Sequence, residues 1–416
     1  MLSVFVTGYN ALAAEDTDVS STENYIDWYD LDIVDFFEIY DEAYLTFLED
    51  DYLFEQFLEA RAIMEIQAPA VEIYNVLKDA FWQEIDGYME LVFPDTYAGA
   101  WVDFDTLVIQ VTNLYPETIA FYTSLIGNAD HVRFTQVDFS YNLLRTFGEI
   151  FVDTLGDIVV GFGIDTMNNS YSITIDENSL QALDVHNSFT NLARVMPIPI
   201  DLSLSQPGEF FSLLGGSSAD RHASIGLSGT RPGTGQAALL ISGHAAVGAG
   251  TATPVQRSGQ TIGTVQVLRF SSFTVGSPGT TQGDWAVVNL NAVGAAMVTN
   301  QLRNNTRIQA FTNSAPVNTV VNAIGQHTIS TGTIKAVNQT FAAPFNGVWH
   351  SVSGLSRVNT FGTSPIPGDS GGAVWMTVGS FNSLTGIISG GPANLPVWYF
   401  SPLQHSSTHF SPRLIN

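Results

Sequence analysis

The 416-residue chain contains no cysteine, which excludes disulfides, thiolate metal ligands and cysteine nucleophiles together. Basic residues are scarce in its first half. Residues 1–193 hold 35 Asp and Glu against 4 Lys and Arg, a net of −31, whereas residues 194–416 hold 5 acidic and 10 basic residues, a net of +5. Salt adaptation would acidify both halves, which leaves a solvating acidic tail or two regions that dock through complementary fields. The ten cations of the second half are scattered, with no basic run to follow a phosphate backbone, which argues against a nucleic-acid partner. No stretch reaches eighteen uninterrupted apolar residues, so no membrane span is expected. The acids form no D-x-D-x-D-G loop, and nothing in the sequence calls for calcium, another metal or a cofactor.

At this length at least two domains are expected, each able to bury a core. Met1–Ala14 is apolar and ends in Ala11-Leu12-Ala13-Ala14, like a signal-peptide cleavage site, but it lacks a basic n-region; a truncated secretory signal and a loose N-terminus both stay open. From Asp41 to Trp82 apolar residues recur every three or four positions, which predicts amphipathic helix broken near Pro69. Gly99–Asp103 and Thr106–Thr112 read as a hairpin, Val137–Phe151 as a helix, and Tyr171–Ile175 as a strand after the Asn168-Asn169 turn. Residues 15–193 are therefore an acidic α+β region. Residues 194–216, with Pro197, Pro199, Pro207 and Gly215-Gly216, read as a linker. Beyond it, over 217–416, short runs such as Ala237–Ile241, Thr264–Leu268, Trp285–Val288, Thr319–Val321 and Leu384–Ile388 alternate with turn residues, the pattern of an all-β sandwich or barrel.

Within that β region, Gly368-Asp369-Ser370-Gly371-Gly372 sets a serine between glycines that leave its hydroxyl open and its backbone N–H groups available. A serine hydroxyl is a weak nucleophile, so it needs a base and a group to orient that base. His244 follows an apolar strand directly, among small neighbours, and Asp284 leads into the strand at Trp285. Alone, such a histidine is more often structural, and such an aspartate could equally cap a turn. Together they stand in the order His, Asp, Ser, 40 and 86 residues apart, and the conjunction is more specific than any member.

The second half thus resembles a chymotrypsin-fold serine protease of the streptogrisin and α-lytic protease branch, from about Gly215 to the end. The resemblance implies a double β-barrel, with His244 as general base, Asp284 as its partner, Ser370 as nucleophile, and the N–H groups of Gly368 and Ser370 as oxyanion hole. It also implies that Ser364, Pro365, Ile388, Ser389, Gly390 and Gly391 border the specificity pocket, with Ser389 bonding near Asp284. No carboxylate lies at 363–367, so a hydrophobic residue before the scissile bond is expected. The chain departs from these relatives where their cysteines stand, at Ala223 with Ala245 and Ser364 with Leu395. It departs again at Ala323, where a buried arginine would pair Asp369. Asp369 is left without an assigned partner, a new N-terminus being one possibility.

In the first half, Gly99–Asp103, Phe139-Ser140-Tyr141-Asn142 and Gly163-Ile164-Asp165 with Tyr171–Ile175 resemble motifs of pro-domains in the same branch. That resemblance implies a secreted precursor whose acidic half, a partner in cis, assists folding and inhibits, with proteins or peptides as substrates. A catalytically silent protease-fold binding module with an acidic interaction domain is the alternative.

Overall fold

The computed structural model describes residues 51–412 apart from short internal segments, the longest being 186–198 and 271–281. The expectations for Met1–Ala14, and for helix before Asp51, lie outside the described residues. Helix α1, Asp51–Asp79, buries Ala60, Met64, Gln67, Ala68, Val71, Tyr74 and Leu77, a stripe at three- and four-residue spacing. It is not broken at Pro69, which lies inside it. The carbonyl deprived of its donor is that of Glu65, on the exposed face, where water can replace the lost bond.

Strands β1 (Tyr97–Asp103) and β2 (Thr106–Val111) form the expected hairpin. Helix α2 (Pro116–Ile126) then returns the chain so that β3 (Val132–Gln136) lies parallel to β2. The next helix, α3, spans Tyr141–Leu155 and starts later than its apolar pattern suggested. Phe139 is held outside it by both of its backbone groups, which bond the Asn169 side chain at 3.0 and 2.8 Å. Strands β4 (Val159–Asp165) and β5 (Ser170–Asp176) are antiparallel, and β6 (Ile200–Ser205), inside the segment read as linker, extends their sheet in parallel to β5. Beyond it the short strand β7, Glu209–Phe210, follows.

The second half is mostly β. One sheet orders β10 (Pro254–Arg257), β11 (Gln260–Arg269), β12 (Trp285–Leu290), β9 (Ala237–Ile241), β8 (Ser228–Thr230) and β19 (Ser411–Pro412). The other runs through β13 (Val320–Ile324), β16 (Ala373–Val378), β17 (Phe381–Gly391), β18 (Val397–Pro402), β15 (Val348–Thr360) and β14 (Ile329–Phe345), and β14 pairs β13 again, so these six close on themselves. The expected pair of closed barrels is therefore seen as one closed ring beside one open six-stranded sheet among the described residues.

The halves do not keep separate cores. Met64, Val71, Tyr74 and Leu77 of α1 belong to the same apolar cluster as Val320, Val321, Val374 and Met376. Gln67 seals the join, donating to Asn318 O at 2.7 Å and accepting from Val320 N at 2.9 Å, while β4 adds to the edge of β14 through Phe162 opposite Thr340 and Gly161 opposite Phe341. Despite the opposed net charges, the ion pairs among the described residues each fall within one half. The contact combines apolar packing, side-chain hydrogen bonds and strand pairing.

Candidate active site

The two sheets meet where their strands end. His244 opens a short 3₁₀ turn after β9, and Asp284 immediately precedes the neighbouring β12. Ser370 lies three residues ahead of β16 in the second sheet. All three side chains are fully buried. His244 Nδ1 is 2.6 Å from Asp284 Oδ2, and Nε2 is 2.8 Å from Ser370 Oγ. A carboxylate only accepts, so Nδ1 donates to Asp284 and Nε2 is left to accept the serine proton. The three residues chosen from separate motifs are thus brought into one hydrogen-bonded line.

Asp284 is held by more than the imidazole. Its Oδ1 accepts the His244 backbone N–H at 2.8 Å, its Oδ2 accepts the Ser389 hydroxyl at 2.5 Å, and its own N–H donates to Ser401 Oγ at 3.0 Å. Four bonds fix the residue's position, and those to the carboxylate offset the cost of burying a charge. Ser389 does this from a β-bulge: β17 pairs Ile388 with Phe400 and Gly390 with Tyr399 in β18, leaving Ser389 out of the ladder. A bulge re-aims a side chain, and here the hydroxyl turns to Asp284 while the carbonyl lies 3.5 Å from Ser370 Oγ.

Around Ser370 the chain turns tightly. Gly368 sits at φ 102°, a conformation closed to ordinary side chains. The N–H groups of Asp369, Gly371 and Gly372 go to Ile366 O, Ile388 O and Asp369 O, whereas that of Ser370 has no acceptor among the described residues. Asp369 has a partner that the sequence did not disclose. Its Oδ1 accepts from His327 N at 2.7 Å and Thr328 N at 3.3 Å, and its Oδ2 from Thr328 Oγ1 at 2.6 Å and Ile366 N at 2.9 Å. The turn between β13 and β14 thereby supplies what a buried arginine or a new N-terminus would. It can approach because Gly325 has no Cβ; one there would fall 2.3 Å from that of Asp369.

The remaining expected site residues divide. Gly390 and Gly391 lie on β17 beside the bulge, and Pro365 is buried. Ser364 shares a 3.1 Å bond with Thr360 Oγ1. Ile388 belongs instead to the apolar core. Sequence reading missed the aromatic wall behind His244, where Phe270 lies 5.7 Å from the imidazole and stacks on His350 at 4.6 Å. Nothing in the order of residues ties His350 or Thr328 to the motifs they serve.

No protein-family model matches the chain, and none of the curated proteins does. Solved structures of chymotrypsin-fold serine proteases do. Thermobifida fusca protease A is 21% identical, covering 50% of this chain and 98% of its own, with a TM-score of 0.33. A glutamic acid specific serine protease, described as using a histidine triad in substrate binding, is 20% identical over 48% and 96%, at 0.34. Cellulomonas bogoriensis chymotrypsin is 23% identical over 50% and 98%, at 0.31. Among the described residues no helix is long and apolar enough to cross a membrane.

Thr328→Val removes the hydroxyl from Asp369 while keeping the side chain's shape. Stability measured by urea unfolding of the full chain is expected to fall by about 1.5–3 kcal/mol, the range for a bond to a buried charge, and Thr328→Ser to retain most of it.

Proposed function

We propose that this chain is the precursor of a secreted serine endopeptidase, with Ser370 as nucleophile, His244 as general base and acid, and Asp284 as the group that orients the imidazole and balances its charge. The observation that supports it most is the line of bonds from Asp284 through His244 to Ser370, at 2.6 and 2.8 Å. In this reading Ser370 attacks a peptide carbonyl as His244 takes its proton, the proton passes to the leaving amine, and water then hydrolyses the acyl-enzyme by the reverse relay. The oxyanion is received by the N–H groups of Gly368 and Ser370, each such donor contributing about 3–4 kcal/mol to lowering the barrier. The pocket is bordered by Ser364, Pro365, Ser389, Gly390 and Gly391 and takes a hydrophobic residue.

The acidic half acts as folding partner and inhibitor in cis. The physical support is that a β fold of non-local pairings closes slowly, no disulfide restricts its unfolded chain, and α1 fills part of the core shared with β13 and β16. A tethered partner at high effective concentration stabilises what it binds.

A fluorophosphonate probe is expected to label processed protein at one residue and to leave Ser370→Ala unlabelled; a processed wild type that stays unlabelled would mean a silent binding module. Residues 194–416 made alone should refold in low yield, improved by adding residues 15–193. Equal yields with and without them would remove the folding role.

A further inference from the structure

The turn joining β8 to β9 stands at the opposite end of β9 from His244. It borders a cavity of 360 Å³, inside the range of about 300–1,000 Å³ for small-ligand sites. Both sheets contribute to the lining. Thr230 and Ser411 come from paired positions on β8 and β19, and Phe311 from the short strand Ala310–Phe311, which lies parallel to β17. Leu403 and Phe410, both buried, and the half-exposed Phe311 give the cavity an apolar wall, and Arg231 is the charged residue on its lining.

The turn holds Arg231 by its backbone alone. Its N–H donates to Gln236 O at 2.9 Å and its carbonyl accepts from Gly235 N at 3.0 Å, while Gly233 and Gly235 take positive φ of 79° and 66°, where a side chain would be strained. No ion pair or hydrogen bond among the described residues engages the guanidinium, whose Nε–H is buried without an acceptor. The charge nearby has the same sign. Arg269 and His409 lie 5.9 and 5.8 Å from the Trp285 ring, and burial first, then Arg269 and Arg231, push the His409 imidazole below its usual pKa. Beyond residue 216 the acids are Asp220, Asp284 and Asp369. The last two are engaged at His244 and Thr328, and Asp220 lies outside the described residues.

We propose that this cavity binds a carboxylate carried on an apolar body, with Arg231 meeting the acid group and Phe311, Leu403 and Phe410 the body. A buried N–H without an acceptor is costly, and a planar guanidinium offers a carboxylate two parallel bonds. The apolar wall rewards a body that a bare inorganic anion lacks. A free organic acid and the C-terminus of a peptide ending in an apolar residue both present this chemistry. The site is separate from Ser370 and does not rest on the protease reading.

Isothermal titration of the full-length chain with 3-phenylpropionate, its amide, inorganic phosphate and an N-acetylated peptide ending in phenylalanine tests the assignment. The acid or the peptide is expected to bind at least about tenfold more tightly than the amide and the phosphate. Arg231→Gln, with its unfolding midpoint unchanged, should weaken that binding at least about tenfold and Arg231→Lys by less, while Ser370→Ala should bind as the wild type does. Tighter binding of the peptide assigns the site to peptide C-termini, and tighter binding of the free acid to small organic acids. Equal affinity for acid and amide, or no binding of either carboxylate, overturns the proposal on the wild type alone, whatever the variants' folding. Binding that Arg231→Gln leaves intact, or that blocks fluorophosphonate labelling of Ser370, belongs elsewhere and overturns it as well.

Discussion

The chemistry proposed for this molecule depends on one buried carboxylate. Asp284 is an isolated acid at the junction of two sheets, and a carboxylate there is costly unless every oxygen is met by a donor. His244 supplies two, one from its backbone and one from its ring, and Ser389 a third from the opposite sheet. The same contacts that make the charge tolerable select the imidazole tautomer that can accept from Ser370. The bonds that stabilise the site are thus those on which the proposed reactivity rests, and both require the two sheets to be in register.

A second buried carboxylate plays the equivalent structural role beneath Ser370. Asp369 accepts from the turn between β13 and β14 and from Ile366, so the loop around Ser370 is braced by neighbouring backbone. Its shape does not wait on a new terminus. The first half adds to the same framework by packing α1 over β13 and β16 and by extending the sheet from β14 through β4.

Much of this was legible in the residues. Short apolar runs between turn residues located β9, β12 and β17, and local apolar patterning located α1 and the hairpin of β1 and β2, because those signals are local. The line of His244, Asp284 and Ser370 was legible because each member sits in a rare short pattern. What was hidden is non-local. Thr328 meets Asp369 across 41 residues, and Gln67 meets Asn318 across 251. The long hairpin of β14 and β15 is broken by register shifts that blur its alternation. Pro69 misled because a breaker is tolerated where its lost bond faces water, and exposure is a property of the fold.

Asp284→Asn probes the central interaction most directly, since it keeps the shape and reverses the tautomer preference of His244. With circular dichroism unchanged, the rate of fluorophosphonate reaction at Ser370 should fall about 10⁴-fold. A rate within tenfold of the wild type would contradict the claim that Asp284 sets the imidazole for catalysis.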